Sequence, residues 1–245
     1  MADPVALITG SARRIGAEIV RTLHANGMRV IIHYRNSAQE ALALADSLNS
    51  SRPDSAATLQ ADLDQPEQVR QLAQDALACF GRMDLLVNNA SSFYPTPVDQ
   101  ADDADWDRLV HSNLRAPFIL SQTLTHALRQ QQGSIINIVD VYAEKPLQNH
   151  TLYCMAKAGL AMMTRSLARE LGPDIRVNGV SPGPILWPEA GQMNQQEIQD
   201  ATALKRCGTP QDIAQTVLWL GTQAPFVTGQ ILAVDGGRSL TLQGS

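Results

Sequence analysis

The feature that most constrains this chain is a repeated alternation of short apolar runs with helical stretches, in which the first turn is pinned by glycine. Val5-Ala6-Leu7-Ile8-Thr9-Gly10 is an apolar run ending on a glycine; Ile15, Ile19 and Leu23 then recur at helical spacing, and Gly27 supplies a stop before a second strand from Met28 to Tyr34. Strand, glycine turn, helix and strand make a βαβ unit. Its first turn places backbone amides at a helix N-terminus, where a pyrophosphate binds.

The alternation continues to the end of the chain. Further strands are expected at 57–63, 84–90, 134–139, 175–181 and 230–234, and further helices at 37–49, 66–80, 102–130, 151–171 and from 210 to about 220. Thr209-Pro210-Gln211-Asp212 has the form of a capping box with proline at N1, and Gly172-Pro173 closes the long helix before it. The connections are short and no linker interrupts them. Together they predict an α/β chain with one Rossmann-type, doubly wound domain over residues 1–245, built on a seven-stranded parallel sheet with helices on both faces. Only the 184–205 segment, rich in Pro, Gly, Gln and Asn, breaks the pattern, and a substrate-covering lid is expected there.

A length of 245 residues is enough to bury a full core, while a net charge of −5 without a basic patch argues against nucleic acid and acidic membranes as partners. No apolar run reaches the roughly 18 residues a membrane span needs. Cys79, Cys154 and Cys207 lack metal-binding or redox spacing, so free thiols and no metal site are expected. With no leader segment visible before the first strand, the expected setting is cytoplasmic.

Candidate chemistry is concentrated between Asp140 and Lys157. Tyr153 and Lys157 stand four apart at the start of a helical pattern and share one face. An ammonium beside a phenol favours the phenolate, so Tyr153 is expected to be more acidic than an ordinary tyrosine and fit for acid/base work. Asp140 follows the apolar run 134–139, at the carboxyl end of an expected strand, where open α/β sheets bind ligands. The alternatives are an ordinary surface pair and a strand-end aspartate bonded to loop amides.

Thr9 to Gly16, Asn88-Asn89-Ala90, Asn113, Tyr153-x-x-x-Lys157, Pro182-Gly183 and Val234-Asp235-Gly236-Gly237, taken in order, resemble the short-chain dehydrogenase/reductase superfamily across nearly the whole chain. Three departures resemble its pteridine reductase branch. Arg14 stands at the middle glycine of T-G-x-x-x-G-x-G, Asn-Ala-Ser-Ser-Phe-Tyr-Pro-Thr-Pro follows the fourth strand, and Asp140 replaces the usual serine before the tyrosine.

The resemblance implies NADPH as cofactor, a pterin or folate as substrate, and a homotetramer. It implies that Tyr153, Lys157, Asp140 and Asn113 form the catalytic set, with Asn113 bending its helix and holding a water. Arg14, Ser91, Phe93, Asp140, Tyr153 and Trp187 would face the substrate, Phe93 sandwiching the pterin against the nicotinamide. The cofactor would lie along Gly10, Arg14, Ile15, Gly16, His33, Tyr34, Arg35, Asn36, Ser37, Asp62, Leu63, Asn89, Ala90, Tyr153, Lys157, Pro182 and Gly183, with Asn88 also at the cleft. The residues after the second strand agree with a 2′-phosphate, since Arg35, Asn36 and Ser37 offer donors where NAD enzymes place an acid. A polar turn before a helix capped by Ser37 is the alternative there. A general carbonyl or 3-oxoacyl reductase is the competing enzyme, and an idle NADP-binding regulator the competing non-enzyme.

Overall fold

The computed structural model describes residues 3–185 and 195–240. Seven strands, β1 (Val5–Ile8), β2 (Arg29–Tyr34), β3 (Ala56–Gln60), β4 (Leu85–Asn88), β5 (Ser134–Ile138), β6 (Arg176–Pro182) and β7 (Ile231–Val234), form one sheet in the order β3-β2-β1-β4-β5-β6-β7. Every pairing is parallel. The helices are α1 (Arg14–Ala25), α2 (Ala38–Ser51), α3 (Pro66–Phe80), α4 (Asp103–Val110), α5 (Ala116–Gln130), α6 (Thr151–Leu171), α7 (Gln195–Asp200) and α8 (Pro210–Leu218).

The central strands are apolar on both faces because both are covered. Ala6 and Ile8 of β1 pack with α1, α2 and α8, while Val5 and Leu7 point the other way into a cluster with α3, α5 and α6. α6 begins and ends where the sequence places it; of its apolar stripe Ala156, Leu160, Met163, Leu167 and Leu171, all but the half-buried Met163 are buried. Thr209 and Asp212 form the expected reciprocal box at α8. Ser37 does not cap α2: its side chain makes no cap hydrogen bond, which leaves the hydroxyl for other partners.

The expected helix over 102–130 runs through, but a π-helical turn at His111–Arg115 joins α4 to α5. Asn113 sits inside that turn, fully buried, and its amide donates to the Leu109 and Ser92 carbonyls at 2.9 Å each. The turn thereby widens the helix where a loop from β4 must be held, a usual place for such a bulge.

The strand order reverses between β1 and β4, so their carboxyl ends splay apart and leave a crevice. Gly10, Arg35 to Ser37, Asp62, Asn89 to Phe93 and Asp140 all follow strand ends on this one side, next to His33 and Tyr34, the last residues of β2. Trp187 and most of the expected lid, residues 186–194, lie outside the described residues.

Candidate active site

A cavity of about 640 Å³ opens at this crevice, lined by Gly10, Arg14, Ile15 and Gly16 on one side and by Asn89 to Phe93, Ser112 and Asp140 on the other. Its far end is made by His33, Tyr34, Arg35, Asn36, Ser37, Asp62 and Leu63. Most residues predicted to hold a dinucleotide therefore share one cleft; Tyr153 and Lys157, beside the Asp140 that lines it, and Pro182 and Gly183, at the end of β6 near Asp235, are not in its lining. The cleft suits an extended phosphate-bearing ligand for a steric reason as well. A side chain at Gly10 would begin 2.8 Å from the Ala90 Cα, and one at Gly16 would begin 2.6 Å from the Gly10 carbonyl oxygen. Backbone thus comes close to backbone here, and the first turn of α1, whose leading amides have no partner within the helix, lines the cavity with Arg14, Ile15 and Gly16.

Arg14 takes a positive φ of 53° where the pattern has glycine. A non-glycine residue in that region costs about 1–2 kcal/mol. Arg14 is exposed, lines the cavity and has no acid paired with it among the described residues. The strain therefore keeps a free guanidinium at the mouth of the phosphate loop.

At the opposite end Arg35 is held between two carboxylates, Asp62 at 3.0 Å and Asp64 at 3.1 Å. Asp62 also accepts the Asp64 amide, so both its oxygens are engaged. Arg13 was missed in the sequence reading. It lines the same cavity and pairs with the exposed Glu40 at 3.4 Å; its position beside Arg14, with a second cation at the loop, was the available signal.

Asp140 ends the β5 side of the cleft. One of its oxygens accepts the Tyr142 amide at 2.9 Å and the other accepts the Tyr153 hydroxyl at 2.7 Å. Lys157, only 2 % exposed, donates to the Ile138 carbonyl at 2.9 Å and lies 5.7 Å from the centre of the Tyr153 ring. The expectation that Lys157 makes Tyr153 acidic is overturned in this arrangement. Burial and then the Asp140 carboxylate push the phenol well above its ordinary value near 10, opposed by the Ser91 hydroxyl. A carboxylate in hydrogen-bond contact with the phenolic oxygen outweighs an ammonium aimed at a carbonyl beneath the ring.

The same burial raises the Asp140 carboxyl above its usual range, against the Tyr142 amide, the Tyr153 hydroxyl and Lys157, and lowers Lys157 to about 8. These three groups titrate as a coupled set. Ser91 joins the set to Asn113, donating to its side-chain oxygen at 2.7 Å.

Phe93 is 53 % exposed on the loop after β4. Its ring stands edge-on to Tyr153 at 4.8 Å and stacks on His150 at 4.7 Å with 16° between the planes. His150 was not anticipated; its position just before the α6 tyrosine was the only signal. Asn88, expected at the cleft, is instead buried in the sheet, donating to Asn137, which donates in turn to Thr164. Period-two alternation turns Asn88 inward and leaves Asn89 at the cavity.

A family model described as enoyl-(acyl carrier protein) reductase matches residues 10–239. The chain belongs to the short-chain dehydrogenase/reductase family. Within that family it is 38 % identical to pteridine reductase 1 of Leishmania tarentolae over 97 % of each chain. It is also 33 % identical to the 3-oxoacyl-[acyl-carrier-protein] reductase of Synechocystis, over 95 % of this chain and 96 % of the other. Among solved structures, a blue fluorescent protein from a metagenomic library, in complex with NADPH, superposes with a TM-score of 0.90 at 38 % identity over 96 % of this chain and 97 % of its own. A Serratia marcescens short-chain dehydrogenase/reductase superposes equally well at 33 % identity, over 96 % of this chain and 98 % of its own.

Proposed function

We propose that the protein uses NADPH to reduce a dihydropteridine, of dihydrobiopterin, dihydromonapterin or dihydrofolate type, to the tetrahydro form. When bound, NADPH supplies the hydride to a ring C=N carbon. The adjacent nitrogen needs a proton, and Tyr153 is the donor: its raised pKa keeps it a phenol, and its hydroxyl is fixed by Asp140. Asp140 orients that hydroxyl and returns a proton to it; Lys157 supplies the opposing buried charge and a ribose contact. Phe93 gives the flat ring an exposed plane beside Tyr153, and Arg14 gives its polar edge a cation.

The observation that carries this reading is the 2.7 Å bond from Tyr153 to a carboxylate in the place where a ketone reductase has a hydroxyl. A serine there hydrogen-bonds a carbonyl oxygen that becomes an alcohol. A half-buried carboxyl with a raised pKa suits proton delivery to a ring nitrogen instead.

Cofactor choice follows from cations at the adenosine end. Arg13 and Arg35 can release Glu40 and the Asp62–Asp64 pair for a 2′-phosphate, with Asn36 and Ser37 beside them. The 184–205 segment is proposed as the cover of the substrate end of this single domain. A homotetramer in the cytoplasm belongs to the same proposal, and Trp106, Phe118, Met155 and Met162, exposed apolar side chains on α4, α5 and α6, support an assembled surface there.

NADPH oxidation measured with dihydrobiopterin, dihydromonapterin, dihydrofolate and a simple ketone or 3-oxoacyl thioester tests the substrate. Turnover of at least one pterin and little of the ketone is expected, whereas turnover of the ketone or thioester alone would move the protein to the carbonyl-reductase reading. Arg14→Gly sharpens this. It restores the residue the backbone prefers, so thermal stability should hold or rise by up to about 1–2 kcal/mol, while KM for the pterin rises about tenfold through the lost charged contact. An unchanged KM would remove Arg14 from the substrate site.

A further inference from the structure

His33 is the fifth residue of β2 and only 2 % exposed, yet it is polar and titratable. Its Nδ1 accepts the Gly10 amide at 3.0 Å, and its Nε2 lies 3.2 Å from the Ala61 carbonyl oxygen. A carbonyl can only accept, so Nε2 carries the proton and Nδ1 is the acceptor; one tautomer satisfies both partners. Burial holds the imidazole pKa down at about 4, against the pull of the Ala61 carbonyl and Asp62, so this tautomer persists through the neutral range.

The backbone of His33 makes a second attachment, its carbonyl accepting the Ser11 amide at 2.9 Å. Both leading amides of the glycine turn thus end on this one residue. From the other side the turn is held by Asn89, which donates to the Thr9 and Gly10 carbonyls at 2.8 and 3.0 Å. The turn is therefore clamped between β2 and β4, and it leads into α1, whose first residues Arg14, Ile15 and Gly16 line the cofactor cleft.

We propose that His33 is a positioning residue for the cofactor: it takes up the Gly10 amide and sets the glycine turn at the height that aims the first turn of α1 at a pyrophosphate. This deepens the NADPH reading above and rests on it.

Two substitutions separate positioning from simple core filling, because each keeps one of the two side-chain bonds. In His33→Asn the amide oxygen lies as many bonds from Cβ as Nδ1 and can accept from Gly10, but the Ala61 bond is lost. In His33→Gln the amide nitrogen lies as many bonds out as Nε2 and can donate to Ala61, but Gly10 loses its acceptor. Each variant gives up one hydrogen bond, so both should lose a similar few degrees of melting temperature without ligand. NADPH affinity, measured by calorimetric titration, should split them: within about threefold of wild type for His33→Asn and about tenfold weaker for His33→Gln.

Equal weakening of the two variants in step with their melting temperatures, or wild-type affinity in His33→Gln, would overturn the positioning role. Failure of the wild-type protein to bind NADPH would instead overturn the cofactor reading and this inference with it.

Discussion

Asp140→Ala is expected to lower kcat by roughly 10²–10³-fold, the range that loss of a positioned acid/base group commands, while the Kd for NADPH changes by less than about threefold. The asymmetry comes from where the carboxylate points. Its two oxygens are spent on the Tyr142 amide and the Tyr153 hydroxyl, neither of which belongs to the phosphate end of the cleft. Alanine frees the hydroxyl to rotate and leaves Lys157 as a buried cation without its opposing charge. Asp140→Asn keeps an acceptor for the hydroxyl but cannot pass on a proton, so its turnover should fall between alanine and wild type. Comparable losses in kcat and NADPH affinity, from steady-state rates and equilibrium titration, would mean that Asp140 only holds the loop together.

The pH profile of the wild-type enzyme tests the same trio. As pH rises through about 8, Lys157 loses its proton, and kcat/KM should fall there. Tyr153 is raised well above 10 and remains a phenol through this range, so the basic limb belongs to the lysine. The stability consequence runs the opposite way. Lys157 has a folded pKa below its ordinary 10.5, so the fold binds fewer protons than the unfolded chain between about 8 and 10.5, and this group's contribution grows more favourable as pH rises across that window. Asp140, raised instead, favours the fold most when protonated and loses that contribution as pH climbs through its folded pKa. Activity declining above about 8 while this contribution to stability improves would separate loss of the ammonium from unfolding.

Much of the architecture was legible because it depends on local pattern. The 151–171 extent of α6 and the Thr209–Asp212 box need no knowledge of distant residues, and both are found as read. The acidity of Tyr153 failed for the converse reason. Sequence spacing showed the cation four residues on, but the winning effects were burial and a carboxylate thirteen residues earlier, and both depend on how β5 meets α6. Asn88 and Asn89 show how fine the margin is. Adjacent, chemically identical residues take opposite roles because a strand reverses its facing at each step. The stacking of His150 on Phe93 joins two loops more than fifty residues apart, so no local pattern pairs the two rings.

Gly16→Ala is expected to weaken NADPH binding by at least about a hundredfold and to destabilise the fold by about 1–3 kcal/mol, the usual cost of forcing a methyl into a filled site. The backbone angle is not the obstacle, since Gly16 lies within α1 and is absent from the positive-φ glycines. Space is. The new Cβ would start 2.6 Å from the Gly10 carbonyl oxygen and the Ser11 Cα, and 2.7 Å from the Asn89 amide nitrogen. The first two are backbone and the third is bonded to the Thr9 and Gly10 carbonyls, so none can swing aside cheaply. Relief requires α1 to move away from the glycine turn, and the helix amides move with it. Gly27→Ala is the matched control. Gly27 has φ of 89° with nothing within 4 Å of an added Cβ, at the opposite end of α1 from the cleft. Its substitution should lower the melting temperature through backbone strain alone and leave NADPH affinity intact. Thermal denaturation and NADPH titration on both variants distinguish the two costs. If Gly16→Ala binds NADPH within about threefold of wild type, the close approach of α1 to the glycine turn is a packing feature and the pyrophosphate lies elsewhere in the cleft.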